Sequence, residues 1–140
     1  MPMDGAGPDS IVERLLQATN DHDLDGLVAC FAEDYRNETP VHPARNFQGR
    51  SQVRRNWEQI FAFVPDLRAE IVRIAVDNNS VWTEWEMRGK RRDGTAHFMR
   101  GCNIFGVSDG VIQWARFYLE PVDESVTTVD QAVRQQVVRE

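Results

Sequence analysis

The order of its segments confines this chain more than any single motif. Three stretches with apolar residues at helical spacing come first, and four long strand-like runs joined by turn signals follow. Helices ahead of hairpin-linked strands predict an α+β domain in which a curved sheet folds around the helices and leaves a pocket between the layers. The 140 residues suit one such domain.

Ser10-Ile11-Val12-Glu13 reads as a capping box, and Ile11, Leu15, Ala18 and Thr19 share the apolar face of the helix it opens. Asp21-His22-Asp23 breaks that helix. Asp23 caps a second, in which Leu24, Leu27, Val28 and Phe31 recur at helical spacing. Tyr35 to Pro40 is short and extended, because Pro40 disfavours helix before it, and Pro40, Pro43 and Gly49 mark residues 40–50 as a loop. Ser51 caps a third helix with Val53, Trp57, Ile60, Phe61 and Val64 on one side, and Pro65 stops it.

The strand runs are Leu67 to Val76, Val81 to Gly89, Thr95 to Val107 and Val111 to Leu119. Asp77 to Ser80, Arg92-Asp93-Gly94 and Ser108-Asp109-Gly110 join them as turns. A last helix near Thr128 to Val138 starts from Thr128 and Gln131; its apolar positions are sparse and predict weak packing. The predicted organisation is a flexible tail over 1–9, the domain over 10–125 and a helical tail over 126–140.

Strand alternation sorts side chains onto two faces. On the pocket side it predicts Trp85, Met87, Asn103, Phe105 and Phe117, closed from the helical side by Tyr35, Asn37, Trp57 and Phe61. The outer face then carries Trp82, Glu84, Trp114, Arg116 and Tyr118, with Glu84 and Arg116 placed to pair across strands. So aromatic an outer face predicts a homodimer. A shift of one residue would exchange the two sets.

The net charge of −6 argues against a nucleic-acid surface. No apolar run approaches the ~18 residues of a membrane span, and Met1 to Gly7 lack the basic and apolar parts of a secretion signal, so a cytoplasmic protein is expected. Cys30, assigned to a helix, and Cys102, on a strand, are expected to be free and partly buried. His22, His42 and His97 are scattered without ligand spacing, and no metal or cofactor is predicted. Gly106-Val107-Ser108-Asp109-Gly110 has the spacing of a serine-hydrolase elbow, but a strand follows it where that elbow needs a helix.

The helix pair ending in Phe31-Ala32-Glu33-Asp34-Tyr35, the entry Phe47-Gln48-Gly49-Arg50-Ser51 and the hairpin Ile104 to Ile112 with Arg116 and Tyr118 resemble a SnoaL-like member of the nuclear-transport-factor-two-like superfamily. The resemblance implies a cone-shaped α+β fold, a curved antiparallel sheet around three N-terminal helices with a central pocket. It implies no single activity, since isomerases, epoxide hydrolases, dehydratases, polyketide cyclases and non-catalytic binders share the fold. Ketosteroid isomerase positions fall on Leu15, Thr39 and Cys102 or Asn103, so the tyrosine and the base of that reaction are missing. Tyr35-Arg36-Asn37 matches the water-orienting pair of limonene epoxide hydrolases, whose remaining catalytic positions fall on Trp85, Met87 and Phe117.

The resulting expectation is cofactor-free proton transfer on a small hydrophobic, polyketide- or steroid-like molecule, of cyclase, isomerase or dehydratase type. Tyr35 and Asn37 would orient substrate or water. His42 or Glu38 would carry the proton; His97, a further candidate, reads more simply as an edge-strand surface residue. Trp57, Phe61, Trp85, Met87, Asn103, Phe105 and Phe117 would contact the ligand, or the aromatic rings among them would fill a core. The rival expectation is a non-catalytic ligand-binding or dimerisation module.

Overall fold

The computed structural model describes residues 7–138; most of the tail expected over 1–9 lies outside the described residues. Helix α1 spans Asp9–Asp21, α2 Leu24–Val28 and α3 Arg50–Phe63. The strands are β1 (Phe31–Glu38), β2 (Phe47–Gln48), β3 (Arg68–Asp77), β4 (Ser80–Lys90), β5 (Ala96–Ser108), β6 (Val111–Phe117) and β7 (Glu120–Pro121), and α4 (Val129–Val137) comes last. The sheet runs β2-β1-β6-β5-β4-β3, with β7 beside β5. It is mixed rather than wholly antiparallel, because β1 lies parallel to β6.

Local chemistry sets the boundaries. His22 takes a left-handed conformation (φ 54°) and returns its N–H to the Ala18 and Thr19 carbonyls, ending α1. The Asp23 carboxylate then accepts from the Gly26 N–H at 3.0 Å and starts α2. Asp109 and Gly110, at φ 54° and 75°, close the β5–β6 hairpin in the doubly left-handed turn that matches strand twist. Thr128 and Gln131 form the predicted reciprocal cap of α4, which buries no residue.

Four local expectations are corrected. Phe31 opens β1 instead of closing α2, since the turn at Ala29-Cys30 intervenes and the Cys30 carbonyl accepts from Ile112 N–H in β6. Ser10 does not cap α1: the helix starts at Asp9, and the Ser10 hydroxyl bonds the Gly7 carbonyl. Gly49, at φ 96°, takes the position before α3 expected for Ser51, which lies inside the helix. Cys102 is exposed on the outer face, whereas Cys30 is buried.

The face assignment follows the alternation. On β4, Val81, Thr83, Trp85 and Met87 are buried while Trp82 is 50% exposed. Trp114 lies on Gly106, where any Cβ would overlap its indole. Glu84 and Arg116 do not pair. Glu84 sits opposite Cys102 and Arg116 opposite Ile104, so β5 separates them. Arg116 reaches Glu38 at 3.2 Å, and Glu84 lies 4.0 Å from Arg73.

Strand β5 changes partner on one edge at Gly101. Strand β5 pairs with β6 over Asn103–Ser108 and with β7 over Met99–Arg100. Between them the backbone of Tyr118 and Leu119 passes so close that the Tyr118 carbonyl oxygen and Leu119 Cα occupy the space of a Gly101 side chain. Side chains of α1 and the residue that ends it tie the far edge. Asn20 exchanges hydrogen bonds of 3.0 and 2.7 Å with Ala69 of β3, and His22 donates to the Leu67 carbonyl at 2.9 Å.

Candidate functional site

The helices fill the concave side unevenly. Helix α1 buries Ile11, Val12, Leu15, Ala18 and Thr19, whereas α3 buries only Val53. Beside α3 lies a cavity of about 600 Å³. Its apolar wall includes Phe31, Phe47, Trp57, Ile60, Met87, Met99, Phe117 and Leu119; its polar residues are Tyr35, Asn37, Thr39, Arg45, Asn46, Gln52, Asn56 and His97.

Alternation on β1 brings Tyr35, Asn37 and Thr39 to the same side, all buried. The Tyr35 hydroxyl donates to Asn37 Oδ1 at 2.8 Å, and Asn37 Nδ2 donates to Thr39 Oγ1 at 3.3 Å. Tyr35 sits edge-on to Phe31 and Phe47, with ring centroids 4.7 and 6.0 Å away. Burial pushes its phenol far above the ordinary tyrosine value, so it remains a protonated donor. The relay ends on the Thr39 hydroxyl, which donates to no other group among the described residues.

His97 enters the cavity from β5 on the same alternation face as Met99. Burial, with a smaller push from Arg91, holds its pKa below the usual histidine value. The ring is therefore neutral at neutral pH and can accept a proton.

Of the residues singled out in the sequence, Tyr35, Asn37, Trp57, Met87 and Phe117 line this cavity. Trp85, Phe105 and Asn103 are 1% exposed and lie in the packed interior outside that lining. Trp85 Nε1 donates to the Thr83 hydroxyl at 2.5 Å, and that hydroxyl donates to the Asn103 carbonyl at 2.7 Å; Asn103 Oδ1 itself has no partner among the described residues. Phe61 packs between His22 and Trp57, at 4.5 and 5.4 Å between ring centroids.

Glu38 and His42 also lie outside the lining. Glu38 points to the outer face, where Arg116 holds it, and His42 Nε2 is 3.0 Å from Glu120 Oε1. His97, which is half-buried, also lines the cavity, and Met99, Asn46, Gln52 and Asn56 join it without a sequence motif to mark them. The signal that could find most of them is periodicity. Extending the β5 alternation by two steps from Gly101 reaches Met99 and His97, and Gln52, Val53, Asn56, Trp57 and Ile60 share one face of α3. Among the described residues no three His, Cys, Asp or Glu side chains gather as a metal site, and no helix is long and apolar enough to cross a membrane.

Known proteins match this architecture. The LEH-like epoxide hydrolase of M. tuberculosis is 22% identical, with a TM-score of 0.71 over 93% of this chain and 95% of the other. IdmH, a proposed polyketide cyclase of Streptomyces antibioticus, is 22% identical, with a TM-score of 0.70 over 93% and 99%. A proposed ketosteroid isomerase of Kribbella flavida is 18% identical, with a TM-score of 0.67 over 95% and 88%. Among curated proteins the sequence has no match. At these identities the likeness establishes the fold. The family model of the SnoaL-like domain matches residues 12–117, and with the helices, curved sheet and cavity that those residues build, the chain belongs to the SnoaL-like domain family.

Proposed function

We propose that the chain binds a small hydrophobic, polyketide- or steroid-like molecule in the cavity beside α3 and converts it by cofactor-free proton transfer, of cyclase, isomerase or dehydratase type. The observation that carries this reading is that a histidine, His97, and a buried hydrogen-bond relay line the same cavity. His97 takes a proton from a carbon or hydroxyl of the ligand, and the Tyr35–Asn37–Thr39 relay orients the carbonyl on which charge develops. Trp57, Met87 and Phe117 supply the apolar contact. Relatives described as cyclases and epoxide hydrolases lend support to the general chemistry. His97 replaces Glu38 and His42 as proton carrier in this reading, because those two are held by Arg116 and Glu120 outside the cavity.

The test is a thermal-shift and product screen against polycyclic ketones, epoxides and aromatic polyketides, run on wild type, Asn37→Ala and His97→Gln. A ligand that raises the wild-type Tm and is converted by wild type but not by His97→Gln supports the reading. Conversion undiminished in His97→Gln defeats the proton role, and a panel with no shift turns the reading toward a non-catalytic module.

That second reading has its own observation. Trp82 stands half exposed on an outer face that also carries the partly buried Trp114 and Tyr118, an arrangement suited to a homodimer through the sheet. Sedimentation equilibrium should find a dimer that Trp82→Glu converts to monomer; a monomeric wild type would remove this interface.

A further inference from the structure

The side-chain amides around the cavity have a common bias: the oxygen of each is already taken. Asn37 Oδ1 accepts from the Tyr35 hydroxyl at 2.8 Å, and Asn46 Oδ1 from the Thr39 backbone N–H at 2.7 Å. Gln52 Oε1 accepts from the Arg55 guanidinium at 2.5 Å, and Asn56 Oδ1 from the Gln52 amide at 2.8 Å. Three of these orientations are not free to flip. A peptide N–H and a guanidinium can only donate, so they fix Asn46 and Gln52, and the Gln52 amide in turn fixes Asn56. The Nδ2 groups of Asn46 and Asn56 are left without a hydrogen bond among the described residues.

The charge distribution points the same way. Arg45 is the one cation in the lining, and no carboxylate lines the cavity among the described residues. Arg45 is exposed and enters no ion pair among the described residues. The acids of the flanking segments are engaged elsewhere, Glu38 by Arg116 at 3.2 Å and Glu120 by His42 at 3.0 Å. A protein of net charge −6 thus keeps negative charge out of one cavity, whose lining holds the exposed Asn46 and the half-buried Asn56 with their amide donors unused among the described residues.

We propose that the ligand of this cavity is amphiphilic and carries a carboxylate, taken by Arg45 with the free amide N–H groups of Asn46 and Asn56, while its apolar body lies against Trp57 and Phe117. The proposal rests on the cavity being a ligand site, as read above, and names the chemical class of what it takes. A neutral carbonyl would satisfy the amide donors, but an unpaired guanidinium in the same lining selects a full negative charge.

A matched pair of probes tests it. 1-Naphthylacetate and 1-naphthylacetamide share the same apolar body and differ in the charge of the polar end. Both are titrated calorimetrically, near neutral pH, into wild type, Arg45→Gln and Asn56→Asp. Wild type should bind the acid about tenfold tighter than the amide. Arg45→Gln should bring the acid to the level of the amide and leave the amide unchanged, and Asn56→Asp should weaken the acid more than the amide. Equal binding of both probes by wild type overturns the carboxylate preference and leaves the ligand-site reading standing. An acid preference that survives Arg45→Gln overturns the role given to Arg45. Failure of both probes to bind at millimolar concentration overturns the ligand-site reading and this proposal with it.

Discussion

The concave side of the sheet has a filled half and a hollow half, and the same strands build both. Along β5, Asn103 to Val107 are buried without interruption, while Ala96 to Cys102 are half-buried or exposed. Along β4, Trp85 is sealed at 1% exposure and Met87, two residues on, faces the cavity. The difference lies in what stands opposite. Helix α1 brings five buried side chains to the interior; α3 brings Val53 alone and turns Trp57 and Ile60 to the open space. A strand's alternation therefore decides which side chains point inward, and the helices decide whether the inward space is filled.

The largest effect that could break this comparison is a pair of tryptophan truncations. Trp85→Ala removes a fully buried ring that also donates to Thr83, and should cost about 3–5 kcal/mol. Trp57→Ala removes a ring that lies at the cavity and should cost about 1–2 kcal/mol, while abolishing binding of any ligand found in the screen. Urea denaturation of both variants compares them directly. Equal losses would mean that the hollow half is as tightly packed as the filled one.

A smaller effect separates the halves by proton binding. Because burial lowers the His97 pKa, the folded chain takes up that proton less readily than the unfolded chain, whose value is near 6.5. The stability that goes with neutral His97 is complete above that value and is lost as pH falls through the folded-state value. Titration of the His97 ring by NMR should give a midpoint below 6.5. With a substrate in hand, the acid limb of kcat/KM should fall at that same midpoint, and His97→Gln should lower the rate by about 10²-fold or more. A midpoint at or above the ordinary histidine value would show that burial does not govern the ring and would remove the ground for its role as the base.

The layer order and the two sheet faces are legible in the sequence, because both rest on periodicities of 3.6 and 2 that survive tertiary packing. Depth is not legible in the same way. Trp85, Phe105 and Asn103 point inward as the alternation requires, yet they lie in the filled half, and nothing in the strand pattern tells them from Met87 and Phe117. Closeness to the hairpin at Gly94 gives His97 the look of a surface residue, although two steps of alternation from Gly101 place it inward. Glu38 and His42 have the right chemistry and stand close in sequence to Tyr35 and Asn37. Their ion-pair partners, Arg116 and Glu120, are 78 residues away along the chain, and only the parallel β1–β6 pairing and the β7 return bring them near. Phe31 keeps helical spacing by coincidence, since the turn before it resets the period.

The smallest expected effect concerns how the hollow half is bounded. The loop from Thr39 to Asn46 contributes Thr39, Ala44, Arg45 and Asn46 to the cavity wall, and His42 fastens it to β7 through Glu120 at 3.0 Å. Both partners are about a third exposed, at 33% and 39%, so water screens the pair and His42→Ala should cost under about 1 kcal/mol of global stability. Its consequence should be local. With the fastening gone, hydrogen exchange over residues 40–46 should quicken while Tyr35 and Phe105 keep their protection, because Thr39 N–H is still held by Asn46 and the β1 ladder is untouched. If exchange quickens equally in both halves, the pair braces the whole sheet, and the division between a filled interior and a separately bounded cavity fails at this loop.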